Sequence, residues 1–197
     1  MIVILDYGSG NLRSAERAFL STGAEVVVSS DQKLAANATG LVVPGVGSFG
    51  ACMAGLNKVN GGKIIKERIA AAKPVFGICI GMQILFEKGL ENGSHQGIGA
   101  LPGSVEKLPA KILPHMGWNT VEVKGNSKLF NGVEKERFYF VHSYGVINTN
   151  FKVQATSDYQ GKFLAAVEEG VVSATQFHPE KSGEAGLKLI ENWVNSL

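Results

Sequence analysis

The segment Val75-Phe76-Gly77-Ile78-Cys79-Ile80-Gly81-Met82-Gln83 passes from an apolar run straight into helix-forming residues. Val75 to Ile78 predicts a buried strand and Ile80 to Lys88 a helix, with almost no loop between them. The junction has the form G-x-C-x-G, the cysteine version of the nucleophile elbow G-x-S-x-G. An elbow of this kind projects one side chain above the carboxyl end of a strand, and its flanking glycines let neighbouring chains approach without a Cβ clash. A cysteine at a helix start also gains from the helix dipole, which favours a thiolate. The plain alternative is a small buried hydrophobe, as free cysteines often are.

Upstream of this segment, Ile64 to Ala72 reads as a helix that Pro74 closes. Ile2 to Leu5, Val26 to Val28 and Leu41 to Val43 are short apolar strands. Between them, Asn11 to Thr22 fits a helix with Leu12, Ala15, Phe19 and Thr22 on one face, and Asp31 to Ala36 a shorter one. Alternation of strand and helix predicts a parallel sheet covered by helices, with ligands at the carboxyl ends of its strands. Downstream the pattern changes. Ser104 to Leu108, Thr120 to Val123, Phe138 to Val141, Lys152 to Thr156, Phe163 to Val167 and Val171 to Gln176 read as strands joined by short turns, and they predict an antiparallel part that extends or flanks the sheet. Ala185 to Val194 is a closing amphipathic helix with Leu187, Ile190 and Val194 inward. The expected class is α/β, with a mostly parallel central sheet and an antiparallel extension in the C-terminal half.

Composition narrows the function classes. The chain has 197 residues, 45% hydrophobic and 18% charged, which suits one compact domain over residues 1–197 with its own core. No repeat or low-complexity tract divides it. A net charge of +2 with scattered basic residues argues against a nucleic-acid partner. Cys52 and Cys79 make no disulfide framework. Asp6 ends the apolar run at the N-terminus, and no stretch approaches a membrane span. The expectation is a cytoplasmic protein with reduced thiols.

A cysteine nucleophile needs a base, and the base needs an orienting acceptor. Gln176-Phe177-His178-Pro179-Glu180 follows an apolar strand and offers both, because Pro179 fixes the backbone between His178 and Glu180. Alone, the tripeptide equally suits a surface histidine beside a solvated glutamate. Pro44-Gly45-Val46-Gly47-Ser48-Phe49-Gly50 follows the third strand and could supply one oxyanion donor, with the Ile80 N–H as the other; otherwise it is a flexible turn. Gln83, one helical turn beyond Cys79, faces either the same pocket or solvent. Gly8-Ser9-Gly10 lacks the third glycine of a dinucleotide loop, and the histidines have no metal-ligand spacing with the cysteines. Cys52 has no elbow and reads as a packing residue.

Taken together, Gly77 to Gln83 and His178-Pro179-Glu180 resemble the class I (triad) glutamine amidotransferases. Further marks run in order along nearly the whole chain: Tyr7 to Leu12, Pro44 to Gly50, Pro114 to Asn119, His142-Ser143-Tyr144 and His178 to Ser182. Within the family they are similar to the glutaminases that serve a (βα)8-barrel cyclase in histidine biosynthesis. Ile80 stands where this family usually has Leu. The sister glutaminase of pyridoxal phosphate synthase shares the triad, but its Gly-Gly-Glu-Ser-Thr loop is missing here.

The resemblance implies a three-layer, flavodoxin-like fold. It implies Cys79, His178 and Glu180 as the triad, and Ile80, Val46 and Gly47 as the oxyanion hole. Gly47, Gln83, Glu91, His142, Ser143 and Tyr144 would surround the glutamine. Asn11, Pro114, Met116, Trp118, Asn119 and Lys181 would lie at the interface with the cyclase. No metal or organic cofactor is expected. Two other readings stay open: another hydrolase using the same elbow, and a non-catalytic binding subunit.

Overall fold

The computed structural model describes residues 1–197. Its first half follows the expected alternation: β1 (Ile2–Leu5), α1 (Leu12–Leu20), β2 (Val26–Ser29), α2 (Gln32–Asn37), β3 (Gly40–Gly45), α3 (Phe49–Lys58), α4 (Gly61–Ala70) and β4 (Val75–Cys79). The starts of α1 and α2 are capped by side chains. The Asn11 side chain accepts from the Ser14 N–H, and Asp31 accepts from the Leu34 N–H. Next come α5 (Ile80–Gln83), β5 (Phe86–Gly89), β6 (His95–Gln96), β7 (Leu101–Lys107), β8 (His115–Thr120), β9 (Glu122–Lys124), β10 (Arg137–His142) and β11 (Tyr144–Val146). The chain closes with β12 (Val153–Asp158), β13 (Lys162–Glu169), β14 (Val172–Thr175), a 3-10 turn at Pro179–Lys181 and α6 (Gly183–Val194).

The main sheet has the order β2-β1-β3-β4-β14-β13-β12-β9. Pairing is parallel from β2 through to β14 and antiparallel beyond it. β14 is therefore the hinge between the two halves: parallel to β4 on one side and antiparallel to β13 on the other. This corrects the expectation that every downstream strand belongs to the antiparallel part. A second sheet, β11-β7-β5-β6, and the pair β10-β8 lie outside the main sheet.

Other expectations also need correction. The helix after Cys79 ends at Gln83 rather than Lys88, because Phe86 to Gly89 pairs with β7 and β6. In place of one strand over Thr120 to Val123 there are two: His115 to Thr120, paired with β10, and the short β9, paired with β12. Leu187 is exposed; α6 instead buries Gly186, Leu189, Ile190 and Trp193. Phe19 of α1, Phe76 of β4 and Trp193 of α6 pack edge-to-face and stacked, which fastens one helical layer to the sheet. Apolar residues of both halves form one contiguous core. No helix is long and apolar enough to cross a membrane.

Candidate active site

The elbow begins with sheet register. β3 and β4 run parallel with Gly45 opposite Cys79, so the loop after β3 and the start of α5 emerge side by side. Cys79 itself has φ 56° and ψ −111°, a conformation that costs a non-glycine residue about 1–3 kcal/mol and is held only by its surroundings. Gly81 lets α5 turn back against β3: a Cβ there would collide with the Val43 carbonyl. Gly45 makes the reciprocal approach, since its Cβ would lie 2.6 Å from the Gly81 nitrogen. The side chain that this turn projects lines a pocket of about 310 Å³ at the carboxyl end of the sheet.

β14, parallel to β4 with Thr175 opposite Ile78, delivers the second half of the site to the same edge. His178 follows and lines the same pocket. Its Nδ1 lies 2.8 Å from Glu180 Oε1. The other carboxylate oxygen is buried without a hydrogen-bond partner, so the carboxylate finds its counter-charge in the imidazole alone. Burial pulls the His178 pKa down. Its interactions with the Cys79 sulfur and the Glu180 carboxylate outweigh burial and hold it up at about 10. The arrangement sets a cysteine beside an imidazole whose other nitrogen meets an orienting carboxylate.

The loop after β3 is fixed by neighbours that the sequence does not single out. Tyr7 Oη donates to the Pro44 carbonyl. The Val46 N–H donates to Ser9 Oγ at 3.1 Å, and Ser9 Oγ in turn donates to the Val46 carbonyl at 2.9 Å. Cys52 Sγ supports the same carbonyl at 3.4 Å. The Val46 N–H, expected as an oxyanion donor, is engaged by a hydroxyl in this structure, while Val46 itself lines the pocket. In a trans peptide the next N–H points opposite to that carbonyl. The Gly47 N–H therefore faces away from Ser9 and Cys52. Gly47 has φ 94°, a conformation that suits glycine.

Gln83 is not solvent-facing. It is buried, lines the pocket and donates from Nε2 to the Tyr144 carbonyl at 2.8 Å and to Gln176 Oε1 at 2.9 Å. Its own Oε1 is buried and unpartnered. Glu91 also lines the pocket, and its Oε2 accepts from the Phe49 N–H at the first turn of α3. His142, Ser143, Tyr144, Ile80 and Gly47 line the same pocket, with Val46, Pro114 and Val141 beside them.

The residues assigned to an interface divide. Met116 and Trp118 are 61% and 49% exposed and share the outer face of β8. Pro114 is exposed at the pocket mouth, and Lys181 is exposed on the turn after His178. Asn11 is the cap of α1. Asn119 turns inward and holds two neighbours, His115 Nε2 at 3.3 Å and the Asp158 carbonyl at 2.9 Å.

Sequence reasoning missed Gln176, Ser9 and His115. Gln176 stood inside the His178 motif without a role, and Ser9 stood in a loop weighed only as a cofactor site. Nothing local to His115 distinguishes it from a surface histidine.

An α/β sheet whose strand ends carry Cys79, His178 and Glu180 has clear relatives. The profile of the family described as glutamine amidotransferase class-I matches residues 3–197, and the chain belongs to that family. Among curated relatives, the imidazole glycerol phosphate synthase subunit HisH of Corynebacterium glutamicum is 55% identical over 205 residues, covering 98% of this chain and 97% of that protein. The protein of the same description from Thermobifida fusca is 53% identical over 209 residues, covering 100% and 98%. The fold matches solved structures at lower identity. A glutamine amidotransferase crystal structure aligns with a TM-score of 0.77 at 18% identity over 98% of each chain. PurLQS from Thermotoga maritima aligns with a TM-score of 0.75 at 23% identity, covering 99% of this chain and 97% of that one.

Proposed function

We propose that this chain is a single domain, residues 1–197, that serves as the glutaminase subunit of imidazole glycerol phosphate synthase in histidine biosynthesis. The observation that carries the chemistry is the buried His178–Glu180 pair sharing one pocket with the strained Cys79. The identity of more than half the residues to whole HisH proteins supports the assignment of substrate and pathway.

The Cys79 thiolate attacks the side-chain carboxamide carbon of glutamine. The Ile80 N–H, at a helix start where no intrahelical acceptor serves it, and the Gly47 N–H hold the oxyanion. His178 gives its proton to the departing ammonia, and a thioester remains. His178 then takes a proton from water, which attacks the thioester; the C–S bond breaks, and glutamate and the thiolate separate. Glu180 keeps the imidazole in one orientation throughout. The Glu91 carboxylate suits the α-ammonium of glutamine, and Gln83 lines the same pocket. Ser143, Tyr144 and His142 shape the opposite wall.

Ammonia released into open water becomes ammonium and loses its nucleophilicity. A synthase partner over the pocket mouth follows from that chemistry. We assign this partner as the (βα)8-barrel cyclase, which uses the ammonia to form imidazole glycerol phosphate and AICAR in the cytoplasm. Its contact face includes Pro114, Met116, Trp118 and Lys181, with Asn11 and Asn119 stabilising the segments that carry them. Glutamine hydrolysis is gated by that partner.

The test is Cys79→Ser. Glutamine hydrolysis should fall by at least about a thousandfold while cyclase binding persists. Retained hydrolysis would remove Cys79 from the mechanism. Turnover equally fast with and without the cyclase would remove the gating.

A further inference from the structure

We propose that Gln176 is a further catalytic residue: its carboxamide N–H donates to the Cys79 sulfur and supports the charge of the thiolate. The proposal deepens the glutaminase reading and rests on Cys79 being the nucleophile.

Gln176 is fully buried, one residue beyond the end of β14, and its Nε2 lies 3.7 Å from Cys79 Sγ. A glutamine side chain has two ends, and the surrounding hydrogen bonds decide which one meets the sulfur. The Tyr144 carbonyl can only accept, so the atom of Gln83 facing it at 2.8 Å is nitrogen. That same nitrogen lies 2.9 Å from the Gln176 side chain, which must present its oxygen there. The nitrogen of Gln176 is left for Cys79.

The anchor of this chain is itself fixed. The Tyr144 carbonyl also accepts from His142 Nδ1 at 2.9 Å. His142 Nε2 must then accept, and His115 Nδ1 stands 3.0 Å away as the donor. His115 Nε2 accepts from the Asn119 amide at 3.3 Å. Both imidazoles are neutral, as their burial requires. From Asn119 to the sulfur, every donor and acceptor has one consistent assignment.

A buried amide beside a neutral thiol gains little, because sulfur in that state is a weak acceptor. Beside a thiolate the same N–H makes a charge-assisted bond. It acts twice in the reaction. It holds the charged sulfur in the attacking position. When the thioester breaks and the C–S electron pair returns to sulfur, it stabilises the leaving thiolate.

The test compares the full chain with Gln176→Met, which keeps the length and loses the donor, and Gln176→Glu, which keeps the acceptor for Gln83. Iodoacetamide alkylation of Cys79 is followed by peptide mass spectrometry from about pH 5 to 9, so that Cys52 does not contribute. Glutamine kcat and KM are measured beside it with the cyclase present. In Gln176→Met the acid limb of the alkylation profile should move to higher pH, and the rate near neutrality should fall about tenfold, the factor of one hydrogen bond to a charged group. Glutamine kcat should fall with it while KM changes less than about twofold. In Gln176→Glu the rate near neutrality should fall at least as far, since a carboxylate repels the thiolate. If Gln176→Met does not fold, Gln176→Glu carries the test alone. An alkylation profile identical to wild type in a folded variant overturns the proposal and leaves Cys79 in place. A wild-type Cys79 that alkylates more slowly than free cysteine overturns both.

Discussion

His178 Nδ1 lies 2.8 Å from Glu180 Oε1, with both side chains 3% exposed. At that burial the carboxylate cannot rely on water, and its second oxygen has no protein partner either. The imidazole is the carboxylate's protein partner, and the Cys79 sulfur and this carboxylate together favour a protonated ring against the cost of burial.

The pH dependence of stability should show this pair. The folded-state pKa of His178, about 10, lies above the unfolded value near 6.5. Its contribution is therefore complete below about pH 6.5 and is lost as pH rises through about 10. Glu180→Gln removes the carboxylate. The difference in Tm between wild type and this variant should be largest near pH 6 and shrink steadily towards about pH 10. A difference independent of pH would contradict the pairing.

His115 and His142 should act in the opposite sense. Burial holds their pKa values down at about 4 and about 3, below the unfolded value near 6.5. As pH falls from about 6.5 towards 4, the unfolded chain takes up protons that the fold refuses, and stability declines. His115 stacks between Phe140 and Tyr159, at centroid distances of 4.9 and 4.2 Å. His115→Phe keeps that stack and removes one titrating group. Its Tm should be lower at neutrality, through lost hydrogen bonds, yet fall less steeply between about pH 6.5 and 4. An unchanged slope in thermal melts would show that His115 titrates normally.

Gly81→Ala should cripple the fold rather than the chemistry alone. The added methyl meets the backbone of β3, which cannot move without disturbing the sheet. Overpacking of this kind costs about 3 kcal/mol or more, which for a chain of this size lowers Tm by roughly 6–12 °C. Calorimetry of the purified variant gives the answer; a loss below about 1 kcal/mol would mean that α5 has room to shift.

Trp118→Glu and Met116→Glu place charges on the exposed face of β8 without touching the pocket. If they lie in the proposed interface, each should weaken binding of the proposed cyclase partner by at least about tenfold, as for exposed apolar anchors. Tm should change by little. Calorimetric titration with the barrel subunit measures this, and unaltered affinity in both variants would move the interface elsewhere.

The parallel half of the fold was readable because a strand covered on both faces is a continuous apolar run, and Pro74 closes the helix before β4. Ile84-Leu85-Phe86 was not, since a short apolar run suits a helix or a strand equally. Pairing of Phe86 with Leu101 and Lys88 with Ser104 makes the second half of that run a strand, and neither partner is visible locally. His115 to Thr120 hides its strand character in the same way, with inward His115 and Asn119 alternating with outward Met116 and Trp118.

The sequence by itself determined the candidate reacting groups: a cysteine on a glycine-flanked elbow, and a histidine and glutamate spaced to pair across a proline. Those depend on neighbours within a few residues, where covalent geometry is decisive. Only the tertiary structure decided where the hydrogen bonds point. Ser9 engages the Val46 N–H from 37 residues away, and Gln176 turns its amide towards Cys79 from 97 residues away. Hydrogen-bond direction follows from peptide planes and rotamers, and these are set by packing between strands that meet only once the sheet has formed.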